Sequence, residues 1–416
     1  MRRLRALACL SLLAAPAAVP ADAAPCGRGR ADRLRTWYVS TPKAPENSQV
    51  HTIWHGGGGA IRASAIDPVN PRVVFAAAGA FLLRSNDGGC SWTQVYRLPA
   101  APAVTVPDAD TGAIIGIDAS RAPGNRTRVL LLVHTVPQPS QPGRLVVVRS
   151  DDGYRDWTAA TEFPATFGKQ GPWVPSLHTA GGVTYAAVPG VAGGVTYHRS
   201  ADGGKTWAMR TTLPDPKAPA SIVGFAASPW RPDELWEWGG RTAVDDERLT
   251  GLRRSTDGGA SWSPVDPWPA YAAGDKPTWE VADVAWPRKG GAARVLVLGG
   301  KSNGTGEDTP VASWSGDGGQ TFSLAVPPTH TTPLKDATVA SFANGDAVIV
   351  ATNRMVYRLA HRGRAPRRGD WTFLAKVPEP GGTWPTGNDQ PTRASGTRPG
   401  VVTVRSGARV QFLAVP

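Results

Sequence analysis

The sequence predicts an all-β protein: a seven-bladed β-propeller of four-stranded antiparallel blades, closed by an N-terminal strand that completes the last blade. Three observations carry this expectation. The pattern S-x-D-G-G-x-[S/T]-[W/F] recurs five times, centred on Asp87, Asp152, Asp202, Asp257 and Asp317. Those aspartates are 65, 50, 55 and 60 residues apart, the pitch of a repeat architecture. Glycine (48), proline (39) and tryptophan (16) are abundant while no stretch carries the apolar period of an amphipathic helix, so the chain reads as short strands and turns around an aromatic core.

The repeat explains its own shape. An aspartate beside two glycines is a turn, because its carboxylate accepts backbone N–H bonds while glycine takes positive φ without a steric cost. Apolar, β-branched or aromatic residues precede each copy, as in Phe81-Leu82-Leu83 and Val195-Thr196-Tyr197. A mixed run follows, as in Trp207-Ala208-Met209-Arg210-Thr211. Each copy is therefore expected to be a hairpin loop between a third and a fourth strand, and its aspartate a structural tie in preference to a catalytic carboxylate.

In chain order, Met1 to about Ala23 reads as a secretion signal: Arg2, Arg3 and Arg5, then an apolar run from Ala6 to Val19, then Ala21-Asp22-Ala23 for cleavage. The apolar run is too short to span a bilayer and holds Pro16. Residues 24–416 are expected to form one propeller domain, secreted and monomeric, with no membrane span. Net charge is +12 for the whole chain, and stays strongly positive without the leader. This favours an anionic partner such as a cell-wall polymer or an acidic glycan, alongside the plain alternative of a generic cationic surface. No nucleic-acid partner, cofactor or metal is expected.

The expected strands follow at regular intervals. Blade one is Ile61–Asp67, Arg72–Ala78, Phe81–Arg84 and Trp92–Leu98, and four further blades repeat the plan to Val326. Blade six keeps the strands Val339–Phe342, Ala347–Thr352 and Met355–Leu359 and ends on Asp370-Trp371-Thr372-Phe373-Leu374, but has no box. A basic insertion, His361 to Arg368, stands there instead. It reads first as a solvated hairpin tip and second as a polyanion site. Three C-terminal strands remain (Arg393–Ser395, Val401–Arg405, Val410–Val415), and Thr36-Trp37-Tyr38-Val39-Ser40 is expected to supply the missing fourth, which removes the sheet edges.

The repeat resembles the Asp-box, or bacterial neuraminidase repeat, of sialidases, xyloglucan-active glycoside hydrolases, sortilin-type receptors and photosystem assembly factors. Copy two departs from it, with Tyr154 for the second glycine and Asp156 for the Ser/Thr. Copy five ends in Phe322. The resemblance implies the fold; enzymes, receptors and scaffolds share it, so it does not imply an activity. His55-Gly56-Gly57-Gly58-Gly59 is similar to the opening of the xyloglucan-active enzymes. Their catalytic Asp, however, falls here on Ala77-Ala78-Gly79-Ala80. Arg62 stands where sialidases carry an Arg-Ile-Pro, but Ala63-Ser64 follows it.

Third-to-fourth loops share one face of a propeller, so a ligand well is expected on the other. The loops there carry Trp54, His55, Trp173, Arg241, Trp279 and Trp384, with Trp268 and Tyr271, and aromatics beside polar groups suit sugar stacking. The same tryptophans would serve equally to cap the core. Two functions follow. The first is a binding or interaction module for a glycan or cell-wall polymer, using those residues and Arg62. The second is a glycoside hydrolase with carboxylates from different blades, for which Asp245, Asp246 and Asp389 are the candidates. Asp245-Asp246-Glu247 also offers oxygen ligands for Ca²⁺, although a solvated loop paired with Arg241 and Arg248 is the preferred reading.

After the leader, Cys26 and Cys90 are the only cysteines, and one disulfide between them is expected. Cys90 lies in the first box turn, and Cys26 precedes Thr36 by a stretch long enough to cross between adjacent blades.

Overall fold

The computed structural model describes residues 37–40, 61–70, 72–87, 91–98, 113–134, 144–152, 154–163, 176–189, 195–213, 221–240, 252–271, 277, 280–286, 290–302, 308–327, 338–341, 347–350, 355–359, 363–376, 401–406 and 409–414. These residues form antiparallel sheets in an all-β, propeller-like arrangement. The first sheet is β2 (Ile61–Ile66), β3 (Val74–Ala78), β4 (Phe81–Ser85) and β5 (Thr93–Arg97). The second is β6 (Ala113–Ala122), β7 (Arg126–His134), β8 (Leu145–Ser150) and β9 (Thr158–Phe163), and the third β10 (Ser176–Ala180), β11 (Val183–Pro189), β12 (Val195–Ser200) and β13 (Ala208–Leu213). The fourth is β14 (Ser221–Ala227), β15 (Leu235–Gly240), β16 (Arg253–Ser255) and β17 (Ser263–Pro264), and the fifth β18 (Glu280–Ala285), β19 (Arg294–Ser302), β20 (Asp308–Ser315) and β21 (Ser323–Ala325). The sixth is β22 (Thr338–Ser341), β23 (Ala347–Val350), β24 (Met355–Leu359) and β25 (Trp371–Lys376).

Among the described residues a seventh sheet has three strands. There β1 (Trp37–Ser40) pairs antiparallel with β27 (Arg409–Ala414), which pairs with β26 (Val401–Ser406). Trp37 lies opposite Leu413 and Ser40 opposite Val410, so the N-terminal strand meets the C-terminal one. The expected strand Arg393–Ser395 and the secretion signal lie outside the described residues. No described helix is long and apolar enough to cross a membrane.

Sheets pack face to face, and the sequence of the second strands records it. In β7, Val129, Leu131 and Val133 enter the cluster shared with the first sheet, where they meet Phe75 and Leu82. Leu130 and Leu132 point the other way, into the cluster shared with Leu177, Ala186 and Val188 of the third sheet. A strand covered on both faces has no use for alternation, hence the unbroken Val-Leu-Leu-Leu-Val run. The fourth strands lie at the outside and are largely exposed, as at β13. First strands of successive sheets, from β2 through β6, β10, β14 and β18 to β22, lie against one another, and β2 also touches β26.

One irregularity repeats. Where the third strand pairs with the fourth, the register slips past a single residue: Val95, Ala160, Arg210 and, in the sixth sheet, Leu374. Each is the third residue after a tryptophan (Trp92, Trp157, Trp207, Trp371). A bulge of one residue bends the outer strand and increases its twist. Its recurrence in the sixth sheet puts Trp371 at the position of the box tryptophans. Arg358, opposite Thr372, takes that of the box arginines, as Arg84 does opposite Thr93. The sixth sheet therefore keeps both ends of a box around a different middle, where the sequence pattern shows no box.

Candidate functional site

The turns between third and fourth strands are built alike. The serine hydroxyl donates to the aspartate two residues on: Ser85 to Asp87 (2.7 Å), Ser150 to Asp152 (2.9 Å), Ser200 to Asp202 (2.8 Å), Ser255 to Asp257 (2.9 Å) and Ser315 to Asp317 (2.7 Å). The same oxygen accepts the N–H four residues ahead, from Tyr154 (3.2 Å), Gly204 (2.7 Å), Gly259 (2.8 Å) and Gly319 (2.9 Å). Each aspartate also accepts the N–H four residues on, at Ser91, Asp156, Thr206, Ser261 and Thr321. Hydroxyls of Ser91, Thr206, Ser261 and Thr321 add bonds of 2.5–2.6 Å.

These carboxylates have their oxygens turned into their own loops. Partial burial alone would raise Asp257 and Asp317, but donors from Ser261, Ser255, Thr321 and Ser315 outweigh it and hold both near 2. A carboxylate so engaged is a poor acid or base at neutral pH. The structural reading of the box aspartates is therefore the one the geometry favours.

The turns of the second to fifth sheets also press on the sheet before them. Tyr154, at φ +78 in the place of a glycine, sets its ring 4.9 Å from Phe75 and donates its hydroxyl to Asp67 (2.7 Å). The Arg84 guanidinium lies over the Tyr154 ring, 4.5 Å from its centroid. Asp67 is buried and also accepts from Thr127 of the second sheet (2.7 Å). Between the third and fourth sheets, Arg199 reaches Asp233 (3.2 Å) and Arg210 reaches the carbonyls of Asp257 (2.8 Å) and Gly258 (3.2 Å). Between the fourth and fifth, buried Glu234 accepts from Trp286 (3.2 Å), and Arg254 of its own sheet donates to it as well (3.0 Å). Asp67, Thr127, Asp233, Glu234 and Trp286 stand outside the repeat pattern, although the Asp67-Pro68 and Asp233-Glu234 turns are legible as loop signals.

The expected well is a different matter. Trp54, His55, Trp173, Arg241, Trp279, Trp384, Asp245, Asp246, Asp389, Cys26 and Cys90 lie outside the described residues, and of Arg62 only the backbone, in β2, is described. Trp268 is described and is fully buried in the cluster of the fourth and fifth sheets, with Tyr271 edge-on at 6.0 Å. Of its two readings, cap of the core holds.

No family model matches the sequence, and no curated protein matches it. Solved structures do. YCF48 from Cyanidioschyzon merolae is 11% identical over 91% of this chain and 98% of its own, with a TM-score of 0.49. A chain of the mitotic checkpoint complex is 10% identical over 90% of this chain and 96% of its own, at 0.50. The GH93 α-L-arabinofuranosidase of Fusarium graminearum with arabinobiose is 11% identical over 86% and 93%, at 0.43. Neighbours of this chain are β-propeller proteins, and at such identities the likeness concerns the fold alone.

Proposed function

We propose that the chain is a secreted Asp-box propeller of seven blades, the last completed by β1. In this reading it is a binding or interaction module for a glycan or cell-wall polymer, through the face opposite the box turns. The observation that carries the reading is an asymmetry of the connections. On the box face the third strands end at 85, 150, 200, 255 and 315 and the fourth begin at 93, 158, 208, 263 and 323, the same interval every time. On the other face the connection from second to third strand runs from the short Ala78-to-Phe81 step to the long Gly240-to-Arg253 one. Scaffold turns are uniform, whereas loops that meet a ligand vary in length and composition. Arg241 belongs to the longest of these, Trp173, Trp279 and Trp384 to connections from one sheet to the next, and Trp54 and His55 to the segment before β2.

A glycan array combined with a panel of chromogenic glycosides tests this. The expected result is retention of one glycan class without turnover, weakened by Trp173→Ala, Trp279→Ala or Trp384→Ala. Turnover that disappears in Asp245→Asn, Asp246→Asn or Asp389→Asn would instead make the chain a glycoside hydrolase.

A further inference from the structure

We infer that the loop joining β24 to β25 is a second site, on the box face, for a linear polymer bearing phosphate groups. In the first five sheets this position carries a turn tied by an aspartate. Here the described residues 363–370 stand instead, and the one acidic side chain among them is already occupied. Asp370, almost fully buried, accepts from Arg364 through Nη1 (2.7 Å) and Nη2 (3.0 Å) and from the backbone N–H of Arg367 (2.8 Å). Arg367 and Arg368 are exposed, and no described carboxylate pairs with either. Two guanidinium groups are thus left uncompensated on one short turn.

The turn is held in place. Val326 of the fifth sheet donates its N–H to the Pro366 carbonyl (3.0 Å), and the Trp371 indole donates to the Val326 carbonyl (2.7 Å). In boxes two and three the same indole bond stays inside the turn, Trp157 to Tyr154 and Trp207 to Gly204. The sixth has redirected it to brace the loop against its neighbour. The braced backbone keeps two arginines adjacent on one turn, and guanidinium binds phosphate bidentately. Gly369 between them and the tryptophan leaves open space beside the backbone. The turn itself presents charge and no apolar side chain, since Pro366 is buried and Ala365 half-buried, but Val326 and Phe373 beside it are exposed, so a lipid surface is tested alongside the polymer.

The experiment is binding of inorganic polyphosphate to the full chain across a range of salt, for wild type and two double variants. R367Q/R368Q should weaken binding by roughly tenfold at 0.15 M salt and flatten the log–log salt dependence by about 1.4, taking ~0.7 per phosphate contact. R121Q/R126Q removes the same charge from two exposed arginines at the facing ends of β6 and β7, and should change binding by less than about twofold. R367K/R368K keeps the charge and loses the forks, so it should fall between. Equal losses in the two Gln variants, no loss in either, or no polyphosphate binding overturns the proposal. So does Arg367- and Arg368-dependent binding to anionic phospholipid vesicles in place of the polymer. Since the opposite face is untouched by these variants, glycan retention there is unaffected, and the two readings fail separately.

Discussion

The hydroxyl of Tyr154 donates to the carboxylate of Asp67 across 87 residues of sequence, at 2.7 Å. The contact explains why one box tolerates a tyrosine at positive φ. The backbone strain of a non-glycine residue there, of order 1–3 kcal/mol, is offset by a buried hydrogen bond and by packing on Phe75.

Tyr154→Phe removes the bond and keeps the ring. Asp67 retains Thr127 and the Val69 N–H (2.7 Å), so the expected loss is about 1–2 kcal/mol. Tyr154→Gly relieves the backbone but also removes the ring, and should cost more than Tyr154→Phe, about 2–4 kcal/mol. Denaturant midpoints at unchanged m-value measure both. A Gly variant as stable as wild type would show that the tyrosine is tolerated without holding the two sheets together.

Gly319 stands at φ +79 with its missing Cβ 2.5 Å from the buried Trp236 ring. Gly182, at φ +84, faces open space. Both lose the backbone preference when changed to Ala, about 1 kcal/mol, but only Gly319→Ala must also displace a core tryptophan, for about 1–3 kcal/mol more. Equal losses in thermal or chemical unfolding would show that the turn does not press on the sheet before it.

The box carboxylates have a pH signature. Asp202 is raised by its partial burial, and more than compensated by Thr206, Ser200 and Lys205 donors, so its carboxyl sits far below the usual range. A carboxyl depressed in the folded state contributes stability above its unfolded value near 3.8, and that contribution is lost as pH falls through the folded value. Ser255→Ala takes one donor from Asp257 and should move its titration up from about 2. Carboxyl NMR reads this directly, and an unmoved Asp257 would mean that the serine does not tie the turn.

Three interior groups act at milder pH. Burial lowers His134 and His198 from 6.5 to about 4; His198 stacks on Phe163 at 4.2 Å. Their contribution is whole above pH 6.5 and declines as pH falls toward 4. Glu237 runs the other way: burial lifts it from 4.5 to about 7 against the pull of Arg253. Its contribution is whole below pH 4.5 and is lost as pH rises through 7. His198→Leu should therefore lessen the fall in stability from pH 6.5 to 4.5, and Glu237→Gln should lessen the fall toward pH 7. Melting curves taken at half-unit steps test each. A wild-type pH profile in either variant would remove that group from the account.

The sequence by itself determined the repeat, the hairpin turns and the strands beside them. Each box closes its hydrogen bonds within a few residues, so Ser85, Asp87 and Ser91 carry their geometry in their spacing. The both-faces burial of β7 was legible for the same reason, in its unbroken Val129-to-Val133 run. Tertiary structure alone decided what lies between sheets. Asp67 receives Tyr154, Asp233 receives Arg199 and Val326 receives Trp371 across tens of residues, and no local pattern encodes such partners. It also decided that Trp268 is core, and that the sixth sheet keeps Arg358 and Trp371 in box register around a longer loop. A period is a property of neighbours along the chain, whereas a contact depends on where folding brings distant residues together.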